Sequence, residues 1–367
     1  MELSEALAKR HQVRVLALAD RGGPPPPAGG EWSIVTAPAP AGGPWQTRGR
    51  RRAALEQALD ALLAVAPPHV MVGHHDTGPA VVAAATRAGR PAVLALPSYE
   101  ALCAYAFYPG SDCVPESRCR HCPRALAMEP AERAALHAAR DAQEEALAGA
   151  AALLAPARSL AVACEEWKGR RPAVVAPVVG APPLTAGRPE GHVLAAAALW
   201  TANKGVELLA PLAARLAPRP LLVQFHHGGL APRWRDELAA LPNVALRESP
   251  PAERPRLEGA AVAIVPSLMD VFPRVAFEAM AAGIPVLASD VGGLTELVPD
   301  QQRVARFADP GAWAAAVRGL QDADAWWAAA RRGREAAAAV MATRPVERVE
   351  ALLAEAAPDG HPPMTRR

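Results

Sequence analysis

The sequence has no apolar run of about 18 residues, the length a helix needs to cross a bilayer, so no transmembrane helix is expected. Residues Met1 to His11 mix both charges along an amphipathic pattern and are not read as a signal peptide. Neither sign of charge dominates. The 39 Lys and Arg against 37 Asp and Glu leave a net charge of +2, which argues against a dedicated nucleic-acid binder. Cysteine is sparse, with five residues, an odd number and mostly clustered, which does not fit a secreted disulfide scaffold. A cytoplasmic protein is expected, with peripheral membrane contact as the alternative for one basic cluster described below.

With 367 residues the chain is long enough for two domains of about 150 to 200 residues. Hydrophobic residues make up 51%, enough for sizeable cores. The most informative stretch is Ile264 to Asp300. The apolar run Ala261 to Val265 reads as a buried parallel strand, followed by a polar loop, Pro266 to Asp270. A helix is expected over Arg274 to Ala282, stopped by Gly283, then a strand over Pro285 to Ser289 and a glycine turn at Val291 to Gly293. Asp270 and Glu278 sit eight residues apart at this loop and helix start. In open α/β sheets such positions face a ligand crevice. Carboxylates accept hydrogen bonds from vicinal hydroxyls, and amides at a helix start, here of Phe272, Arg274 and Val275, suit a phosphate. Pro273 gives up one such donor but fits a first helical turn. A buried strand, a capped helix and surface acids is the plainer alternative.

The block PSLMDVFPRVAFEAMAAGIPVLASDVGG resembles the acidic signature of family 4 retaining glycosyltransferases, nucleotide-sugar enzymes of the GT-B fold. Asp270 stands where the first glutamate of that signature belongs, Phe272 matches, Pro273 replaces a glycine, and Glu278 to Met280 match. The resemblance implies two Rossmann-like, doubly wound α/β domains facing a central cleft. It implies that Glu278 holds the nucleotide ribose and that the Asp270 loop meets the donor sugar and diphosphate. Lys204-Gly205 matches the pair that clamps the diphosphate, and Glu248 falls where the base pocket lies. Two departures stand out. Ala198 replaces the expected arginine, and Pro97-Ser98 replaces a His-Asp pair. Charge logic makes Arg274 the substitute cation.

Along the chain, an opening helix and a strand over Val13 to Ala19 are expected without the first strand and glycine loop of the family, so the native start is expected upstream. A Pro/Gly loop follows at Gly22 to Gly30, then a strand at Trp32 to Thr36. Arg48 to Arg52, RGRRR, is read as opening a helix and as a solvated face; contact with a phosphate-bearing acceptor or a membrane surface is the alternative. His74, His75 and Asp76 follow a strand end and are candidate acceptor-side residues. Cys119-x-x-Cys122 has the close spacing of a structural zinc site, which Cys103 and Cys113 would complete; reduced thiols in a loop are the alternative. Cys164 is expected in the core.

The expected organisation is an acceptor-side domain over residues 1–180 with a Cys-rich insertion at 103–122. A nucleotide-sugar domain follows at 181–345, then a crossover helix at 346–358 and a disordered tail at 359–367. The implied activity is retaining transfer of a sugar from a nucleotide diphosphate sugar to an acceptor hydroxyl, with Lys204, Asp270 and Glu278 central and no catalytic cofactor. The rivals are an impaired transferase-like binder, favoured by the departures, and a sugar-nucleotide epimerase on the same fold.

Overall fold

The computed structural model describes residues 2–19, 31–36, 43–103, 119–180, 182–185, 187–250, 253–305 and 309–357. The loop expected at Gly22 to Gly30, Cys113 and the tail from Asp359 lie outside them. The chain forms two compact units, one of Val179–Thr343 and the other of the residues before and after it.

In the first unit the described elements are α1 (Glu2–Ala8), β1 (Arg14–Ala19), β2 (Glu31–Thr36), α2 (Pro44–Val65), β3 (Met71–His74) and α3 (Gly78–Arg87). They continue with β4 (Ala92–Ala95), α4 (Pro123–Leu126), α5 (Pro130–Gly149), β5 (Ala152–Ala155), α6 (Arg158–Lys168) and β6 (Ala173–Val174). Strands β3 to β6 form a parallel sheet in sequential order, and β1 pairs with β2 in parallel, Arg14 opposite Glu31. Among the described residues these are two separate sheets. Each crossover within the β3 to β6 sheet carries a helix that buries apolar residues, and so does the link from β2 to β3. In α2 the stripe is Leu55, Leu59 and Leu63, spaced by four.

Helix α2 begins at Pro44, four residues ahead of the expected start at Arg48. The cause is a distant cap. The Trp45 and Gln46 amides donate to the Glu132 carboxylate of α5 at 2.5 and 3.2 Å, which supplies an anion at the helix's positive end. Gly43 makes room, since a Cβ there would overlap the Glu132 carboxylate. Cys164 on α6 is fully buried, and burial pushes its thiol up to about 11.

The second unit contains β7 (His192–Ala196), α7 (Val206–Leu216), β8 (Leu221–His226), α8 (Pro232–Ala239), β9 (Val244–Ser249) and β10 (Ala260–Val265). It continues with α9 (Arg274–Ala281), β11 (Val286–Ser289), α10 (Leu294–Leu297), β12 (Arg303–Val304), α11 (Pro310–Gly319) and α12 (Ala323–Ala342). All six strands are parallel, in the order β12-β11-β10-β7-β8-β9. This is the doubly wound Rossmann order. Strand β10 is buried along its whole length, as a strand covered by helices on both faces must be. Fully buried side chains such as Ile264, Leu209 and Phe277 each contribute about 1.5–3 kcal/mol.

Some buried polar side chains in this core donate to backbone carbonyls. The Trp326 indole donates to the Ala261 carbonyl at 2.6 Å, and the Gln302 amide donates to the Val286 carbonyl at 2.9 Å. Buried Gln224 on β8 latches the chain between β9 and β10. It accepts from the Arg256 amide at 2.9 Å and donates to the Arg254 carbonyl at 3.2 Å.

The last helix, α13 (Pro345–Ala356), belongs to the first unit. Its Val349 is buried with Leu7, Val93 and Leu154, and Glu350 pairs with Arg10 at 2.9 Å. No helix among the described residues is long and apolar enough to cross a membrane.

Candidate functional site

In the second unit β7 and β10 are neighbours, and the chain winds outward from them in opposite directions. A parallel sheet opens its ligand crevice at such a reversal, outside the carboxyl ends of the strands. Four loops meet on that edge and are joined by main-chain bonds. After β8, Gly229 accepts from the Trp200 amide of the β7 loop at 2.7 Å. Asn203 of the β7 loop accepts from Leu268 of the β10 loop at 2.8 Å, and Asp270 accepts from Gly293 of the β11 loop at 3.0 Å.

Lys204 and Gly205 sit at the end of the β7 loop and Asp270 in the β10 loop. The Lys204 ammonium donates to Asp270 Oδ2 at 2.5 Å. Asp270 is largely buried and also accepts from the Ser267 hydroxyl at 3.1 Å and the Val271 amide at 3.0 Å. This surrounds it with donors and keeps the Lys204 head directed into the loops. Gly205 is required twice over. Its φ is +77°, and a Cβ would overlap the Pro266 carbonyl oxygen, so only glycine lets the β7 and β10 loops touch.

Helix α9 follows, with Pro273 at its N-cap, one position before the first helical turn where the sequence placed it. The bonds of α9 begin with the Ala276 and Phe277 amides, both reaching the Pro273 carbonyl, so the Arg274 and Val275 amides lie ahead of the ladder. Glu278 is 3% exposed, one turn into the helix. Arg274, mostly exposed, places a guanidinium nitrogen 3.3 Å from Glu278 Oε1. Phe272 packs beside Phe277 with ring centroids 6.0 Å apart.

Glu248 ends β9. Its carboxylate accepts from the Gly228 amide at 2.9 Å and from Arg235 at 3.1 Å. The amide first, then Arg235, hold its pKa below the usual glutamate range. Its charge thus fixes the glycine turn after β8.

The acceptor-side candidates divide. His74 is exposed at the end of β3, and the Thr77 hydroxyl donates to its carbonyl at 2.5 Å. The His75 side chain lies outside the described residues. Asp76 instead lines a cavity of about 590 Å³ at the carboxyl ends of β3 and β4, walled by α2 and α5. Pro97 and Ser98 line the same cavity.

Arg48, Arg50 and Arg52 also line it. Arg48 and Arg52 are half-exposed and Arg50 is exposed, so the RGRRR face stays in contact with solvent while it also lines this cavity. The apposition of α2 with α5 and β4, not the local sequence, turns that face into a wall. Arg48 lies over the Trp45 ring at 4.6 Å, 3.5 Å from Asp76 and 3.9 Å from Glu100.

Cys103, Cys119 and Cys122 are each partly buried, and the last two pack beside Trp45 and Leu136. Among the described residues no three His, Cys, Asp or Glu side chains converge as metal ligands, and Cys113 is not described. Sequence reasoning missed Ser267 and Trp200, and carried the RGRRR arginines only as the alternative of contact with a phosphate-bearing acceptor or a membrane surface. The only available signals for the first two were their positions just past strand ends.

Comparison with known proteins gives a consistent picture. A family model described as glycosyl transferases group 1 matches residues 190–323, and one described as glycosyl transferase 4-like domain matches residues 1–179. D-inositol 3-phosphate glycosyltransferase 2 of Catenulispora acidiphila is 44% identical over 79 residues, covering 20% of this chain and 18% of that protein. D-inositol 3-phosphate glycosyltransferase of Geodermatophilus obscurus is 39% identical over 136 residues, 32% of this chain and 30% of that protein. The matched segments thus span less than a third of these relatives' length.

Among solved structures, sucrose-phosphate synthase from Thermosynechococcus elongatus superposes with a TM-score of 0.72 at 18% identity, covering 96% of this chain and 91% of that one. Anabaena Alr3699/HepE in complex with UDP-glucose gives a TM-score of 0.59 at 15% identity, covering 89% and 85%. These likenesses show a shared fold.

Proposed function

The chain belongs to the group 1 glycosyltransferases, and from that premise we propose that it moves a sugar from a nucleotide diphosphate sugar to an acceptor hydroxyl with retention at the anomeric carbon. The observation that carries the reading is the Lys204–Asp270 pair at the strand-order reversal, held there by Gly205 against Pro266. A uridine donor is favoured by the UDP-glucose complex of the Anabaena neighbour.

Each group has a task in this scheme. Lys204 and the Arg274 and Val275 amides bind the diphosphate and stabilise the charge that grows on it as the glycosidic bond breaks. Asp270 positions Lys204 and accepts from hydroxyls of the donor sugar. Glu278 accepts from the ribose hydroxyls. The bond from the anomeric carbon to the diphosphate oxygen breaks, and a bond to the acceptor oxygen forms on the same face. The acceptor's proton passes to the departing diphosphate, so no protein nucleophile takes part.

The test is product analysis with UDP-glucose and a panel of hydroxylated acceptors. Release of UDP with a glycoside of the donor's anomeric configuration, read by proton NMR, is the expected result. An inverted sugar still attached to UDP would replace this reading with epimerisation, and an inverted glycoside would refute retention.

A further inference from the structure

Asp270 has two tasks in the proposed reaction, to hold Lys204 and to accept from the donor sugar, and its geometry does not allow both at once. A carboxylate offers about four lone-pair sites. Three are taken. Oδ2 accepts from the Lys204 ammonium at 2.5 Å and from the Ser267 hydroxyl at 3.1 Å, and Oδ1 accepts from the Val271 amide at 3.0 Å. One site remains, and a pair of vicinal sugar hydroxyls needs two.

The three donors differ in freedom. Ser267 is 1% exposed, and the Val271 amide belongs to the backbone of the same loop. Lys204 is about a third exposed at the end of a flexible stem, so it is the donor that can leave. When it does, Ser267 and Val271 still satisfy the buried carboxylate, and the sugar hydroxyls complete its shell. An intact donor supplies both exchanges in one molecule, hydroxyls to Asp270 and a diphosphate to Lys204. A nucleoside diphosphate without its sugar supplies only the second. It draws Lys204 off and sets its own charge beside an aspartate that has lost its cation.

We infer that Asp270 distinguishes the intact donor from the spent nucleoside diphosphate by giving up Lys204 for the donor's sugar hydroxyls, and that the return of Lys204 after transfer promotes product release. The inference rests on the donor reading of this site. It makes Ser267 a positioning residue, the donor that keeps Asp270 satisfied while Lys204 is away.

The experiment uses the full chain, with UDP and UDP-glucose as probes in isothermal titration. Asp270→Asn keeps the shape and removes the charge that competes for Lys204. It is expected to bind UDP more tightly than the wild type. The ratio of the two dissociation constants should shift toward UDP by about tenfold, the scale of one hydrogen bond to a charged group. Ser267→Ala is expected to act in the opposite sense, weakening UDP severalfold because Asp270 then holds Lys204 more strongly. Added to Asp270→Asn, it should leave UDP binding unchanged. A loop that merely loses packing would weaken UDP in every variant. A second readout needs no nucleotide. Lys9, Lys168 and Lys204 are the only lysines in the sequence, so NMR of the isotope-methylated protein resolves Lys204, identified by Lys204→Arg. Its signal should move in Asp270→Asn. UDP binding that is unchanged or weaker in Asp270→Asn, or a Lys204 signal indifferent to that variant, would overturn the inference. If neither probe binds the wild type while the Lys204 signal still reports the pair, the donor reading itself falls and takes the inference with it.

Discussion

Lys204 and Asp270 are 66 residues apart in the chain and 2.5 Å apart in space. Each explains the other. A carboxylate as buried as Asp270 needs charged or polar donors, and it receives three, from Lys204, Ser267 and the Val271 amide. Lys204 remains about a third exposed, which leaves its head able to meet a ligand. If it stabilises the leaving diphosphate, Lys204→Ala should lower kcat by about 10²–10³, the loss typical of one preorganised donor to developing charge. The check is steady-state kinetics beside a melting curve. A variant with wild-type kcat would remove Lys204 from the chemistry. Arg274 was expected to replace the arginine missing at Ala198. Its guanidinium lies beside Glu278, so any share it takes in binding phosphate is gained by exchanging that neighbour for the ligand.

At the scale of elements, the site is a property of loops made rigid by one another. Gly205 is the tightest point, where the β7 and β10 loops touch. Gly205→Ala would place a side chain at φ +77° and against the Pro266 carbonyl. Strain of this kind costs about 1–3 kcal/mol. The variant should therefore unfold at lower urea and lose nucleotide binding together. Unchanged stability would mean that the two loops are not locked as described.

Much of this architecture was legible. The apolar run at Ala261 to Val265 marks a buried strand because a parallel strand has no polar face to show. The start of α2 was not legible, because Glu132, which caps it, lies 86 residues further on from Gln46. The cavity wall formed by Arg48, Arg50 and Arg52 was not legible for the same reason, since nothing in a helical arginine run shows that α5 and β4 pack beside it.

For the whole molecule, two parallel-sheet units follow from the alternation of short apolar runs with helical stripes, and that alternation can be read without any relative. The acidic block from Asp270 to Gly293 added the family, which both family models bear out. Glu248 holds the glycine turn after β8 through Gly228 and is not a bare base-reading carboxylate. The most direct test of the central claim is a thermal melt of the full chain with UDP, GDP, ADP and dTDP, run beside Glu278→Ala. The account predicts stabilisation by UDP, about 2.7 kcal/mol at 100 times its dissociation constant, and its loss in the variant. A chain that melts cooperatively with no shift for any nucleotide, or an equal UDP shift in Glu278→Ala, would contradict it.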